Sequence, residues 1–206
     1  TFLKGISRIL DAYTGNAYLD GQDIHHSSTK EIAKKISVLP QHQKSNLPLT
    51  VYELVCLGRS PHKKWWELDF DENDHSKVER SISLTDMTAF KDKYVETLSG
   101  GQRQRAFLSL ALAQDAKTLL LDEPTTFLDL RYQLQFLDLL KKINQEEEIS
   151  IVTVIHDLNL AARYCDRIAV LKDGELLAID KPREVLTEEL MKQAFQVETC
   201  QIETPI

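Results

Sequence analysis

Leu98-Ser99-Gly100-Gly101-Gln102, followed by Arg103-Gln104-Arg105 and a long apolar-periodic run, has the makings of an anion site. Two adjacent glycines after a serine let the backbone approach an anion closely. A helix starting there aims free N–H groups and its positive dipole end at that anion. Further on, Leu119-Leu120-Leu121-Asp122-Glu123-Pro124 reads as a buried strand whose tip presents two carboxylates. Asp122 suits Mg²⁺, and Glu123 suits the orientation and polarisation of a water. A phosphate-binding device and a hydrolysis device thus follow one another on one chain.

Two elements must position them. A helix is expected from Gln102 to Gln114, where Phe107, Leu108, Leu110, Ala111 and Leu112 give an almost continuous apolar face. The strand must end at Asp122, since open α/β sheets place ligands at the carboxyl ends of their strands.

LSGGQ upstream of LLLDEP resembles the signature motif and Walker B of ATP-binding cassette (ABC) ATPases, and the resemblance runs through nearly the whole chain. It implies a P-loop NTPase core of the α/β type with an antiparallel edge β-subdomain and a helical subdomain. Leu39-Pro40-Gln41 resembles the Q-loop, and a glutamine ending a buried strand can offer its carbonyl to Mg²⁺ and swing away when the ion or γ-phosphate leaves. Thr125-Thr126-Phe127-Leu128-Asp129 resembles the D-loop, which in the family crosses the dimer to touch the opposite site. Asp129 also suits a cap for a helix from Leu130 to Asn144. His156, after the strand Ile149 to Ile155, matches the family's switch histidine, which reaches the γ-phosphate.

One departure is plain. The family's phosphate loop ends in Gly-Lys-Ser-Thr and runs into a helix. Thr1-Phe2-Leu3-Lys4 matches that continuation, making Thr1 a nucleotide-binding residue by resemblance. GxxxxGK[ST] itself occurs nowhere in the 206 residues. Taken literally, such a polypeptide is not a competent ATPase. A single ABC ATPase domain over 1–206, incomplete at its N-terminus, is therefore expected.

The chain carries 25 basic and 32 acidic residues, a net −7, without a basic run. That argues against a protein that coats nucleic acid and for a local phosphate site. Cys56, Cys165 and Cys200 are scattered and lack CxxC spacing, which fits a reduced compartment. No apolar run approaches the ~20 residues of a membrane-spanning helix, and no signal peptide is visible. A cytosolic protein is expected, docked on a spanning partner if it works at a membrane.

Taken in order, Thr1 to Leu10 reads as a helix, with Phe2, Leu3, Ile6, Ile9 and Leu10 at helical spacing. Asp11 to Gly21 reads as strand, turn and strand, similar to a family hairpin near the nucleotide. Ser27 to Lys35 suggests a short helix capped by Ser28 or Thr29, before the strand Ile36 to Leu39. The interval 43–95 turns mostly helical and resembles the helical subdomain. Thr50 and Glu53 form a capping-box pattern there, and Asp71 to Leu84 reads as a second helix. Within it, Leu57-Gly58-Arg59-Ser60-Pro61-His62 and Leu84-Thr85-Asp86-Met87 resemble the branch serving iron–siderophore, haem and cobalamin importers. Trp65 and Trp66 beside Lys63 and Lys64 fit a half-buried subdomain surface better than a stacking platform for bases. Glu146-Glu147-Glu148 reads as a solvated loop. A helix from Leu158 to Cys165, a strand from Arg167 to Leu171, an Asp173-Gly174 hairpin turn and a last helix from Glu188 to Phe195 complete the chain.

The resemblance implies a homodimer sandwiching ATP and Mg²⁺, with Ser99, Gly100, Gly101 and Gln102 of one copy facing the phosphate loop of the other. It implies catalysis by Glu123, His156 and Gln41, and metal binding by Asp122 and Gln41. Transmembrane permease subunits, and through them a substrate-binding protein, would be the partners, placing the subunit on the cytoplasmic face of the membrane. The expected reaction is ATP hydrolysis driving uptake of a ferric siderophore or related iron chelate. Two rivals exist: a soluble ABC ATPase of DNA repair or translation, and a non-hydrolysing regulatory or interaction subunit. The interval from Gln41 to Leu98 is too short for the coiled coil of repair members, and translation members carry two cassettes.

Overall fold

Residues 2–11, 14–41, 48–64, 67, 69–126 and 128–199 are described by the computed structural model. Thr1, Trp65, Trp66, Phe127 and Cys200 lie outside them. The chain divides into two compact units, Thr1–Val154 and Ile155–Ile206.

The first unit opens with helix α1 (Phe2–Ile6), shorter than the apolar spacing implies. Arg8 stops it by taking a left-handed φ of 57°, and its guanidinium donates to the carbonyls of Ile24 (3.3 Å) and Ser27. Ile9 and Leu10, beyond this stop, are exposed. Strands β1 (Tyr18–Leu19) and β2 (Gln22–Asp23) form an antiparallel hairpin around Asp20 and Gly21, both at positive φ. Asp-Gly supplies that two-residue turn because glycine adopts positive φ freely and aspartate tolerates it. Helix α2 (Thr29–Ala33) follows, with Ser28 and Glu31 closing a capping box, and leads into β3 (Ile36–Leu39).

Helix α3 (Val51–Cys56) starts on the Thr50–Glu53 capping box. A 3-10 turn over Leu57–His62 and helix α4 (Glu72–Leu84, capped by Asp71) complete the helical segment. The segment closes on itself: Val51 N donates to Lys93 O and Val95 N to Leu49 O, both at 2.9 Å, beside a bridge between Thr50 and Tyr94. Helix α5 (Gly100–Ala113) begins two residues before the expected start, because Ser99 and Gln102 form a capping box of their own. Val51, Leu54, Val55, Val78, Ile82, Met87 and Ala106 make one core between α3, α4 and α5.

Strand β4 (Thr118–Leu121) enters the sheet next. Helix α6 (Leu130–Glu147) then runs through the expected loop at Glu146 and Glu147. Glu147 pairs with Arg80 of α4 (2.8 Å), which holds the last turn, and Glu148 ends it in a left-handed conformation. Strand β5 (Ser150–Thr153) completes a parallel sheet in the order β3-β4-β5, with Leu39 opposite Leu121 and Leu121 opposite Thr153. Leu119, Leu120 and Leu121 are at most 2% exposed, so each contributes about 1.5–3 kcal/mol of burial to fixing this register. Leu3, Ile24, Ile32 and Ile36 form a second core with Leu120.

The second unit holds α7 (Leu158–Tyr164), a hairpin of β6 (Ile168–Lys172) and β7 (Glu175–Asp180), α8 (Pro182–Val185) and α9 (Glu188–Phe195). Its own core joins Val170, Val185 and Met191. The expected Asp173-Gly174 turn closes the hairpin with Lys172 opposite Glu175.

Candidate active site

Parallel register brings two of the sequence-selected residues together. Leu39 and Leu121 are opposed at the carboxyl ends of β3 and β4, and Asp122 N continues the ladder by donating to Leu39 O at 3.0 Å. The residues two positions past each strand end, Gln41 and Glu123, therefore come side by side. Gln41 Nε2 donates to Glu123 Oε2 at 2.7 Å.

Glu123 is held from the other side as well. Thr126 Oγ1 donates to the same carboxylate oxygen at 3.1 Å, and Thr126 N reaches back to Glu123 O at 3.4 Å. The Glu123 backbone has φ 49°, a left-handed conformation that costs a residue with a Cβ roughly 1–2 kcal/mol. Its neighbours fix an orientation that the backbone alone resists. The sequence reading missed Thr126 as a partner, although a hydroxyl three residues after a strand-end carboxylate was there to suggest it.

Asp122, half-buried, sits between the strand end and Glu123. With the Gln41 nitrogen engaged by Glu123, the Gln41 carbonyl oxygen is the end of that amide left to ligate. It and the Asp122 carboxylate are both oxygen donors, the kind a hard cation such as Mg²⁺ takes.

Ser99 caps α5: its hydroxyl accepts from Gln102 N (3.4 Å), and Gln102 Oε1 accepts from Ser99 N (3.1 Å). The Gln102 side chain is thus used in building the helix start. Among the described residues nothing lies within 4 Å of where a Cβ on Gly100 would stand. At Gly101 a Cβ would stand 3.6 Å from Tyr132 Cδ1 and 4.0 Å from Leu128 Cδ2. The start of α5 therefore packs on the start of α6, where Asp129 Oδ1 accepts from Tyr132 N at 3.1 Å. An exposed, glycine-flanked helix start of this kind fits an anion approaching from outside the subunit.

His156 belongs to the second unit, where it is exposed and precedes Asp157, the cap of α7. Thr1 lies outside the described residues.

A family profile described as ABC transporter matches residues 1–126, well over half of the chain. The chain belongs to the ABC transporter family. It is 44% identical to the petrobactin import ATP-binding protein FpuD of Bacillus anthracis, over 99% of this chain and 74% of that protein. To the iron(3+)-hydroxamate import ATP-binding protein FhuC of Bacillus subtilis it is 44% identical, over 96% of this chain and 73% of that one. Among solved structures, it resembles a dimeric, post-hydrolysis state of the ATP-binding cassette MJ0796 bound to ADP and Pi. There the TM-score is 0.71 at 31% identity, covering 88% of this chain and 79% of that one. The α/β fold with a parallel sheet and a separate antiparallel hairpin is that of ABC ATPase domains, and the similar proteins are ATP-binding subunits of siderophore and iron importers. Among the described residues no helix is long and apolar enough to cross a membrane.

Proposed function

We propose that this cassette is the nucleotide-binding subunit of an importer, hydrolysing ATP to drive uptake of a ferric siderophore or related iron chelate through partner permease subunits. The observation that carries the reading is the Gln41–Glu123 hydrogen bond at two register-matched strand ends. It gives a carboxylate at the end of a buried strand a fixed direction. Names of relatives that import petrobactin and iron(3+)-hydroxamate support the substrate class.

In this reading Glu123 takes the attacking water as a hydrogen-bond partner and polarises it along the line to the γ-phosphate. Gln41 and Thr126 hold its carboxylate for that task. Asp122 and the Gln41 carbonyl are the ligands for Mg²⁺, which when bound offsets phosphate charge. Ser99, Gly100 and Gly101 present the α5 N-terminus to the nucleotide of a second copy, and Gln102 keeps that helix start closed. Asp129 anchors the segment next to it. His156 is the residue that the family resemblance assigns to the γ-phosphate. Residues 43–95 act as the helical subdomain of one cassette domain, which docks on the permeases at the cytoplasmic face, and through them a substrate-binding protein supplies the cargo.

The test is uptake by vesicles that contain the full-length protein and its permeases. ATP-dependent accumulation of a ferric hydroxamate should be abolished by Glu123→Gln. Accumulation unaffected by that change would favour a non-hydrolysing regulatory subunit instead.

A further inference from the structure

Gln114 caps the end of α5, and its side chain reaches the segment that joins α2 to β3. Its Nε2 donates to the carbonyls of Ile36 (2.8 Å) and Ala33, and its Oε1 accepts from the buried Ser37 hydroxyl (3.3 Å). Three of the four side-chain bonding positions of a planar amide are thereby spent on the root of β3 and the end of α2. The end of the same helix is gripped from the helical segment. Arg59 Nη1 donates to Ala113 O and His62 Nε2 bonds to Gln114 O, both at 2.8 Å. Gly58 allows this grip, since a Cβ there would stand 2.3 Å from Leu110 O. Arg59 is fixed in turn by buried Asp74 on α4, at 2.8 Å.

We propose that Gln114 is a positioning residue for the Gln41–Glu123 pair, acting through β3. This rests on the ATPase reading above. β3 is only four residues long, about 13 Å from end to end, so its first residues lie close to its last. Gln114 fixes its first two residues, and Gln41 follows two residues after its last. In the proposal, the grip of Gln114 at the start of β3 works with the β3–β4 ladder to keep Gln41 at hydrogen-bond distance from Glu123 Oε2. At its other end α5 carries Ser99 and Gly100, about 21 Å away for a helix of 14 residues. One helix thus connects the glycine-flanked N-terminus to the strand that sets Gln41.

The experiment uses Gln114→Leu, of similar size but without the amide, in the full-length protein with Mg²⁺ and ATP. The proposal requires kcat to fall by about tenfold or more while KM for ATP changes by less than about twofold. On a Gln41→Ala background the same substitution must then have almost no further effect, because its route of action is already cut. An equal fractional loss on both backgrounds means a general structural defect and overturns the proposal. Should Gln114→Leu not fold, Ser37→Ala removes one of the three bonds, and the same comparison applies to its smaller loss. Amide exchange gives a readout independent of turnover: residues 34–41 should exchange faster in Gln114→Leu with α4 unchanged, whereas faster exchange throughout overturns the proposal. A wild-type protein that hydrolyses no ATP refutes the ATPase reading and leaves exchange to decide whether Gln114 sets β3.

Discussion

Glu123 combines a strained backbone with a doubly held carboxylate, and each feature explains the other. A left-handed φ points the side chain away from the strand direction, and Gln41 and Thr126 then fix it. Thr126 is the partner whose loss is easiest to interpret, since it is exposed and, among the described residues, its hydroxyl bonds locally to Glu123. Thr126→Val should leave stability within about 0.5 kcal/mol, as for other surface changes, but lower kcat roughly tenfold by freeing one side of a charged hydrogen-bond acceptor. Thermal unfolding and steady-state hydrolysis measured on the same preparation check both halves.

At the scale of elements, the joint between the helical segment and α5 holds the charged residues that are buried among the described residues. Arg59 and Asp74 are 3% and 2% exposed, and Lys63 also reaches Asp74. Burial pushes the Asp74 carboxyl up. Hydrogen bonds from Lys63, Arg59 and the Asp71 amide, together with the Lys63 charge, outweigh that and hold it at about 2. A carboxylate with its folded pKa below the unfolded one stabilises the fold above the unfolded pKa. That stability is lost as pH falls through the folded value. Stability should therefore drop between about pH 4 and pH 2 by roughly 2 kcal/mol from this residue, and Asp74→Asn should remove that part of the pH dependence. Denaturant unfolding across that range tests it. At Gly58 the prediction is steric: Gly58→Ala must displace the turn or α5, costing about 1–3 kcal/mol in the same assay.

These elements also mark how far the sequence could be read. The Ser28 cap, the Thr50 capping box, the Asp173-Gly174 turn and the leucine run of β4 were legible, because each depends on residues a few positions apart; the first hairpin, expected within Asp11 to Gly21, instead turns at Asp20-Gly21. The pairing of Gln41 with Glu123 was approachable, since two strand ends in parallel register follow from apolar runs. Bonds joining Arg59 to Ala113 and Gln114 to Ile36 span 54 and 78 positions, and no local pattern announces them. α1 and the end of α6 deviated for the same reason: Arg8 and Glu147 answer to partners far along the chain.

For the molecule as a whole, the central expectation is that the α5 N-terminus meets a second copy across nucleotide. Gly100 gives a clean way to test that surface, because a Cβ there has no atom of the described residues within 4 Å. Gly100→Asp should leave the melting temperature nearly unchanged and abolish ATP-dependent dimerisation, by placing a negative charge where phosphate is to bind. Sedimentation of the full-length protein with and without Mg²⁺ and ATP separates the outcomes, and a dimer that forms normally would remove α5 from the interface.

The most direct test of the account is single-turnover ATP hydrolysis by full-length wild type and Glu123→Gln, with nucleotide binding measured alongside. Glutamine keeps the size and the position beside Gln41 while losing the charge that polarises water. Hydrolysis should fall by about 100-fold or more with ATP affinity within a few-fold of wild type. Hydrolysis at the wild-type rate in the variant would contradict the assignment of Glu123, and with it the catalytic site built on the ends of β3 and β4.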